Sequence, residues 1–360
     1  MKRIIVRVLV ALVLSLVVAF FVALPMAEIK DEPPKSDIPA VADPIDVVDV
    51  SDADYGYIEM SEDLDLLSEN SGGRLTYSVI GESLDGRNIY AAILGNPNAE
   101  KQIIISAAIH AREYMTSMLV MKQIEYYLNE YDIGEYDGIK YSELFEEYAF
   151  CIMPMCNPDG VTLVQEGIDG LQSETLRNAV RAVYDSDRAS TPDFADLSLN
   201  EYLKYWKTNG RGIDLNRNFD TPAWINNPIR KPCFTDSRGA APFSEPEAEA
   251  MAEYVSGLSN PVCSLAIHSR GEIIYFDCGQ EDKSAELRLA TLVSEVNKYT
   301  VKYNPRSVAA FDDWCVIIKN IPSVTVETGI SSCPLPIEEF EKIWNDNRDL
   351  WAAIAVKGKY

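Results

Sequence analysis

Hydrophobic positions fall into short continuous runs and longer amphipathic stretches, punctuated by Gly, Pro, Asn and Asp. "RLTYSVIG" (74–81) and "NIYAAILG" (88–95), joined by "SLDGR", predict a hairpin whose connection is longer than a two-residue turn. "KQIIISAAI" (101–109), "YAFCIMPM" (148–155) and "VCSLAI" (262–267) are apolar without alternation, which predicts strands covered on both faces. "SVTV" (323–326) is a shorter one. Helical periodicity follows the first of these runs through "YMTSMLVMKQIEYYLNEY" (114–131). In "SEPEAEAMAEYVSGL", Ser244 and Glu247 have the spacing of a capping box, and the C-terminal helix begins near Pro336. Buried strands interleaved with helices predict an α/β fold, a single three-layer α/β/α domain, whose functional groups gather at strand C-terminal ends.

Two segments stand outside this pattern. "MKRIIVRVLVALVLSLVVAFFVALPMA" sets Lys2, Arg3 and Arg7 before an apolar run from Val8 to Leu24, so residues 1–27 read as a membrane-targeting segment. Its length and the position of Pro25 leave a cleaved signal and an uncleaved anchor both open, and either one exports the rest of the chain. Residues 28–54 hold nine acids and four prolines without an aromatic, which predicts a flexible tether. Folded sequence begins near Tyr55 and runs to the end, with no internal repeat.

The net charge of −24 repels phosphate backbones, so nucleic acid is not an expected partner, and membrane contact is expected only through the N-terminal segment. Seven cysteines with no C-x-x-C pair leave at least one thiol unpaired within the chain. Cys151 and Cys263 lie in apolar runs and read as core thiols.

Candidate chemistry starts from the two histidines of the whole chain. His110 follows the "IIISAAI" run, and Glu113 comes three residues later, a spacing that brings both side chains to one side of a turn. His268 likewise ends "CSLAI". Either histidine alone reads as a satisfied structural residue. Together with the carboxylate they make a His₂Glu set with an open fourth position, as a catalytic zinc requires.

Further motifs are "CNPDG" (156–160), "GIDLNRNFD" (212–220) and "SVTVETG" (323–329). The ordered series H-A-R-E, N-P-D-G, D-L-N-R-N-F, I-H-S and T-V-E-T resembles the zinc carboxypeptidase (peptidase M14) family across essentially all of 55–360. The resemblance implies a mixed central sheet and one Zn²⁺ per chain held by His110, Glu113 and His268, the ligand set known from carboxypeptidase A. It implies that zinc polarises the scissile carbonyl and acidifies a water, with Glu327 as the base that takes the proton. Asn216 and Arg217 match the pair that reads a terminal carboxylate, Arg112 matches a further substrate-binding arginine, and Asp214 falls where a carboxylate steadies the ring of His110.

The departures from the family pattern bear on substrate. Lys207 in "WKT" stands where an oxyanion-stabilising arginine is usual; it supplies charge without the planar fork. The mobile tyrosine of the digestive enzymes has no clean counterpart, Tyr303 being the nearest candidate. Residues 161–205 form a longer insertion that could wall the cleft. Asp312 falls at the position that sets side-chain preference, where an acid attracts a basic residue, or else is a solvated loop acid beside Asp313. "HSRGEIIYF" and "NPDGVTLVQEG" look like the bacterial branch that cleaves γ-D-glutamyl bonds to diamino acids.

The expected function is therefore an exported zinc metallocarboxypeptidase, secreted or anchored on the outer face of the cytoplasmic membrane. It would remove a C-terminal basic or diamino residue from a peptide, with a peptidoglycan stem peptide as candidate partner. The alternatives are a deacylase of N-acyl amino acids on the same fold and a catalytically inactive peptide-binding module.

Overall fold

The computed structural model describes residues 44–276 and 280–358. The targeting segment at 1–27 and the first part of the acidic tether lie outside the described residues. Among those described, no helix is long and apolar enough to cross a membrane.

An eight-stranded sheet forms the middle layer. In chain order the strands are β1 (Leu75–Glu82), β2 (Asn88–Leu94), β3 (Lys101–Ser106), the two-residue strands β4 (Glu135–Tyr136) and β5 (Ile139–Lys140), β6 (Tyr148–Met153), β7 (Pro261–His268), β8 (Ile273–Phe276), β9 (Thr300–Tyr303) and β10 (Ser323–Glu327). β4 and β5 pair only with each other, and the large sheet runs β1-β2-β6-β3-β7-β10-β8-β9. The hairpin β1/β2 is antiparallel, as the sequence predicts, and β2/β6 and β10/β8 are antiparallel too. Between them β6, β3, β7 and β10 are mutually parallel. Helices cover both faces of these four strands, which explains their unbroken apolar runs: Ile103, Ile104 and Ile105 are wholly buried.

Parallel alignment also fixes the site. Met153, Ser106, His268 and Glu327 end four neighbouring strands along one edge of the sheet. The segments leaving that edge are tied together. Asn157 caps the helix Pro158–Glu166 by accepting from the Gly160 N–H, while its amide donates to the carbonyls of Ile109 and Thr208. "CNPDG" thus laces the loop carrying His110 to the loop carrying Lys207.

The structure corrects two expectations. The tether does not extend to residue 54: Ile45 and Val48 are buried, and the backbone N–H groups of Val47 and Val48 donate to Glu125 of the helix Met115–Asn129. Ile45, Val47 and Val48 provide the apolar side chains that the high acid content obscures. The capping box at Ser244 does not form either. Pro246 takes the first helical position, Glu245 becomes the N-cap, and Glu247 turns inward to accept from Asn209.

Cys151, Cys156 and Cys315 are buried free thiols and Cys263 is fully buried, in accord with their apolar settings. Cys278 lies outside the described residues.

Candidate active site

His110 leaves β3 through a short connection, and a single helical turn, Ala111–Glu113, brings the Glu113 carboxylate back beside its ring. His268 is the last residue of β7. The Nδ1 atoms of the two histidines lie 3.1 Å apart, and each is 2.9 Å from a Glu113 carboxylate oxygen. All three side chains are buried. In a tetrahedral site with ligands at about 2.0–2.1 Å, donor atoms stand about 3.3 Å from one another, so these spacings fit one zinc ion. The chemistry fits as well. Two imidazoles and a carboxylate, buried with their lone pairs converging, are a donor set that a divalent cation would hold together. Burial alone would raise Glu113, but the adjoining imidazoles hold its carboxyl well below the usual range.

Glu327 ends β10, and in the parallel β10/β7 ladder its register partner is His268. The base candidate and a metal ligand therefore face the cleft from adjacent strands about 4.8 Å apart. Burial first, aided by the Glu113 carboxylate, pushes Glu327 up to about 7, against the pull of His268 and Lys207.

Asp214 lies behind His110, its Oδ1 3.4 Å from Nε2. That is longer than an ordinary hydrogen bond, yet Nε2 is buried and has no other partner. Asp214 also accepts from the backbone N–H groups of Asn216 and Asp236, fixing the turn that follows it. Burial would raise its carboxyl, but the His110 ring outweighs this and holds it well below the carboxylate range.

A cavity of about 170 Å³ opens beside these groups, lined by Lys207, Asn216, Arg217, Asp312 and Glu327 together with both histidines. Lys207 Nζ is 4.0 Å from Glu113 Oε1, and the Lys207 carbonyl accepts from Ala111 N–H, so the ammonium and the metal-ligand turn share one anchor. Asn216 Oδ1 accepts from Phe311 N–H, which leaves the amide donors of that side chain uncommitted. Arg217 reaches the Asn216 carbonyl through Nη1 and Asp236 through Nη2. Asp312 accepts from the Thr325 hydroxyl at 2.9 Å and faces the cavity. Its neighbour Asp313 is the buried member of the pair and takes donors from Ser307, Val308 and Ala310. Asp313 pins the loop, and Asp312 remains available to a ligand.

Two candidates lie outside this cavity. Arg112 does not line this cavity; its Nη1 donates to the Tyr205 carbonyl at 3.4 Å instead. Tyr303 is half exposed on β9, with its hydroxyl accepting from Lys283. The aromatics contributed to the lining are Tyr275, whose partner across the β10/β8 ladder is Thr325, and Phe276. Tyr275, Asn304 and Val308 escape sequence reasoning, since "EIIYF" is short and uniformly apolar after its first residue. The insertion is ordered, with Asp187 accepting from Tyr202 Oη at 2.6 Å and from Phe234 N–H, but none of residues 161–205 lines this cavity. A larger cavity of about 830 Å³ shares no residue with the metal cleft, is lined by groups such as Leu287, Arg288 and Leu292, and offers no comparable chemistry.

A buried His₂Glu cluster with a carboxylate beside it, at the C-terminal edge of parallel strands, defines a metal-dependent hydrolase. The family model for zinc carboxypeptidase, Peptidase_M14, matches residues 60–349, and the chain belongs to that family. The chain is similar to the gamma-D-glutamyl-L-diamino acid endopeptidase 1 of Lysinibacillus sphaericus, at 28% identity over 83% of this chain and 72% of the relative. It is 31% identical to the uncharacterized protein YqgT of Bacillus subtilis over 76% of this chain and 70% of that one. Among solved structures, thrombin activatable fibrinolysis inhibitor superposes with a TM-score of 0.66 at 20% identity, covering 84% of this chain and 73% of the other. Carboxypeptidase A of Helicoverpa armigera does so at 0.61 and 18%, covering 86% and 76%. The protein is a zinc-dependent metallopeptidase of the carboxypeptidase type.

Proposed function

We propose that this metallopeptidase acts outside the cytoplasm, secreted or anchored through its N-terminal segment, and releases a C-terminal amine-bearing residue, a diamino acid, from a cell-wall peptide. The observation that carries the reading is Asp312: an acid facing the cavity beyond Arg217 suits an ammonium on the departing side chain. The relative that is named for cutting γ-D-glutamyl bonds to diamino acids supports it.

The residues divide the work. Asn216 and Arg217 hold the terminal carboxylate with an amide and a guanidinium, and Asp312 receives the side-chain amine. Zinc, when bound by His110, Glu113 and His268, supplies Lewis acidity at the scissile carbonyl. Glu327 removes a proton from the attacking water and delivers it to the leaving nitrogen, a task suited to a carboxyl held near neutrality. The Lys207 ammonium offsets charge that develops on the carbonyl oxygen. Asp214 keeps the His110 ring in place.

The test is release of diaminopimelate from a γ-D-glutamyl peptide, compared with release of lysine or arginine from ordinary α-linked peptides and of leucine from a matched control. Faster turnover of the diamino substrate is expected. Equal turnover of the leucine control would overturn the assignment of Asp312, and hydrolysis confined to small N-acyl amino acids would favour a deacylase.

A further inference from the structure

The guanidinium of Arg217 sits on a long, flexible stem, and such a group points accurately only when something else holds it. Three carboxylates act on it electrostatically: Asp214, Asp236 and Asp313. Two of them are committed elsewhere. Asp214 accepts from the backbone N–H groups of Asn216 and Asp236 and stands behind His110, while Asp313 takes donors from Ser307, Val308 and Ala310. Among the described residues only Asp236 forms an ion pair with Arg217, Nη2 donating to Oδ1 at 2.7 Å. The other tie of the guanidinium, from Nη1 to the Asn216 carbonyl, is to the adjacent residue and restrains the stem less. Asp236 therefore sets where the planar fork lies.

Backbone and side chain of Asp236 are both committed to the site. Its φ of 60° lies in the left-handed region, which Asp and Asn tolerate better than other residues with a side chain. The backbone is held there from two directions, its N–H donating to Asp214 Oδ2 at 3.0 Å and its carbonyl accepting from Asn227 Nδ2 at 2.9 Å. Thr235 Oγ1 donates to Oδ2, which leaves Oδ1 to Arg217. Its neighbours in the segment 233–237 reach further functional groups. The Phe234 carbonyl accepts from Lys207 N–H and the Ser237 carbonyl from Asp214 N–H. Arg217 lines the cavity and Asp236 does not, so the acid touches the receptor and not the ligand space.

We infer that Asp236 is a positioning residue: its carboxylate orients Arg217 for the terminal carboxylate of the substrate, and its backbone ties that receptor to the Asp214 that steadies His110. That role rests on the reading of Arg217 given under the proposed function. Two effects of the acid oppose each other. Its charge repels an incoming carboxylate, but the side chain is 41% exposed, and water and salt screen it. Its grip on the guanidinium removes side-chain freedom before the substrate arrives, a cost that binding would otherwise bear. Preorganisation outweighs the screened repulsion, so loss of the acid weakens substrate binding.

A double-mutant cycle with Arg217 tests this, on whichever lysine- or diamino-ending peptide wild type cuts fastest. Asn and Gly both accept left-handed backbone and keep the N–H bond to Asp214, so zinc content in Asp236→Asn and Asp236→Gly should match wild type. Asp236→Gly is expected to raise KM on the order of tenfold with kcat little changed, and Asp236→Asn, which keeps an acceptor oxygen without the charge, to raise it less. In an Arg217→Met background the same two substitutions should change kcat/KM by less than about twofold. An unchanged or lower KM in Asp236→Gly, an equal loss with and without Arg217, or loss of zinc in both variants would overturn the inference. Should Arg217→Met lower kcat and leave KM unchanged, the carboxylate reading of Arg217 fails by itself. Asp236 is then judged by whether its effect on kcat/KM disappears in that background, and persistence of the effect would overturn it.

Discussion

His268 and Glu327 face each other across two parallel strands, whereas Asn216, Arg217 and Asp312 reach the cleft from a turn after Asp214 and from the first residues of the helix Phe311–Ile317. The first pair is held by a backbone ladder, with Thr328 N–H donating to the His268 carbonyl at 2.8 Å just past the strand end. The second group is held by side chains: Asn216 by Phe311 N–H, Arg217 by Asp236, and Asp312 by Thr325. Chemistry fixed by a ladder tolerates little alteration, while recognition fixed by side chains can be retuned one contact at a time.

Substitutions probe that contrast from its strong end to its weak one. Glu327→Gln should lower kcat by about 10²–10⁴ with zinc content unchanged. An equal loss of zinc would show that the residue supports the metal rather than the proton transfer. Lys207→Met should cost about 10²–10³ in kcat, with Lys207→Arg recovering most of it. The same variant tests electrostatics. Glu327 acts as a base only when ionised, so activity falls as pH drops through its pKa, which lies near 7 without the metal and lower beside a bound cation. Lys207 pulls that value down, so Lys207→Met should move the acid limb of kcat/KM to higher pH. At the recognition end, Asp312→Asn should reduce the preference for lysine over leucine on the order of tenfold and leave the leucine substrate nearly unaffected.

Away from the cleft, burial first and then Asp159 and Glu245 push Glu247 up from 4.5 to about 8. Between those values the folded chain holds a proton that the unfolded chain has released, so this group makes stability fall as pH rises through that window. Glu247→Gln should flatten the decline in unfolding midpoint between pH 5 and 8 without altering kcat.

The same contrast explains what could be read from the chain. Runs such as "IIISAAI" and "CSLAI" must be buried on both sides, so their ends, and with them His110 and His268, are located by hydrophobicity alone. Asp312 and Asp313 look alike in sequence; only the loop N–H groups and the Ser307 hydroxyl around them decide which one is buried. Strand β8 is four residues long near the sheet margin, too short for a clear period, so the sequence does not place Tyr275. Arg112 sits within a metal motif, yet one helical turn rotates it out of the cavity toward Tyr205. The docking of this segment depends on Asn129, which bonds Ile45, and Glu125, which bonds Val47 and Val48, both about eighty positions away, and no local pattern reports it.

The central claim is that His110, Glu113 and His268 share one ion on which activity depends, and metal analysis paired with turnover tests it most directly. Purified wild type should contain one zinc per chain, lose turnover with a chelator and regain it on adding zinc, while His268→Ala should lack both metal and activity. Full activity in material free of metal, or an unchanged zinc content in His268→Ala, would contradict the account.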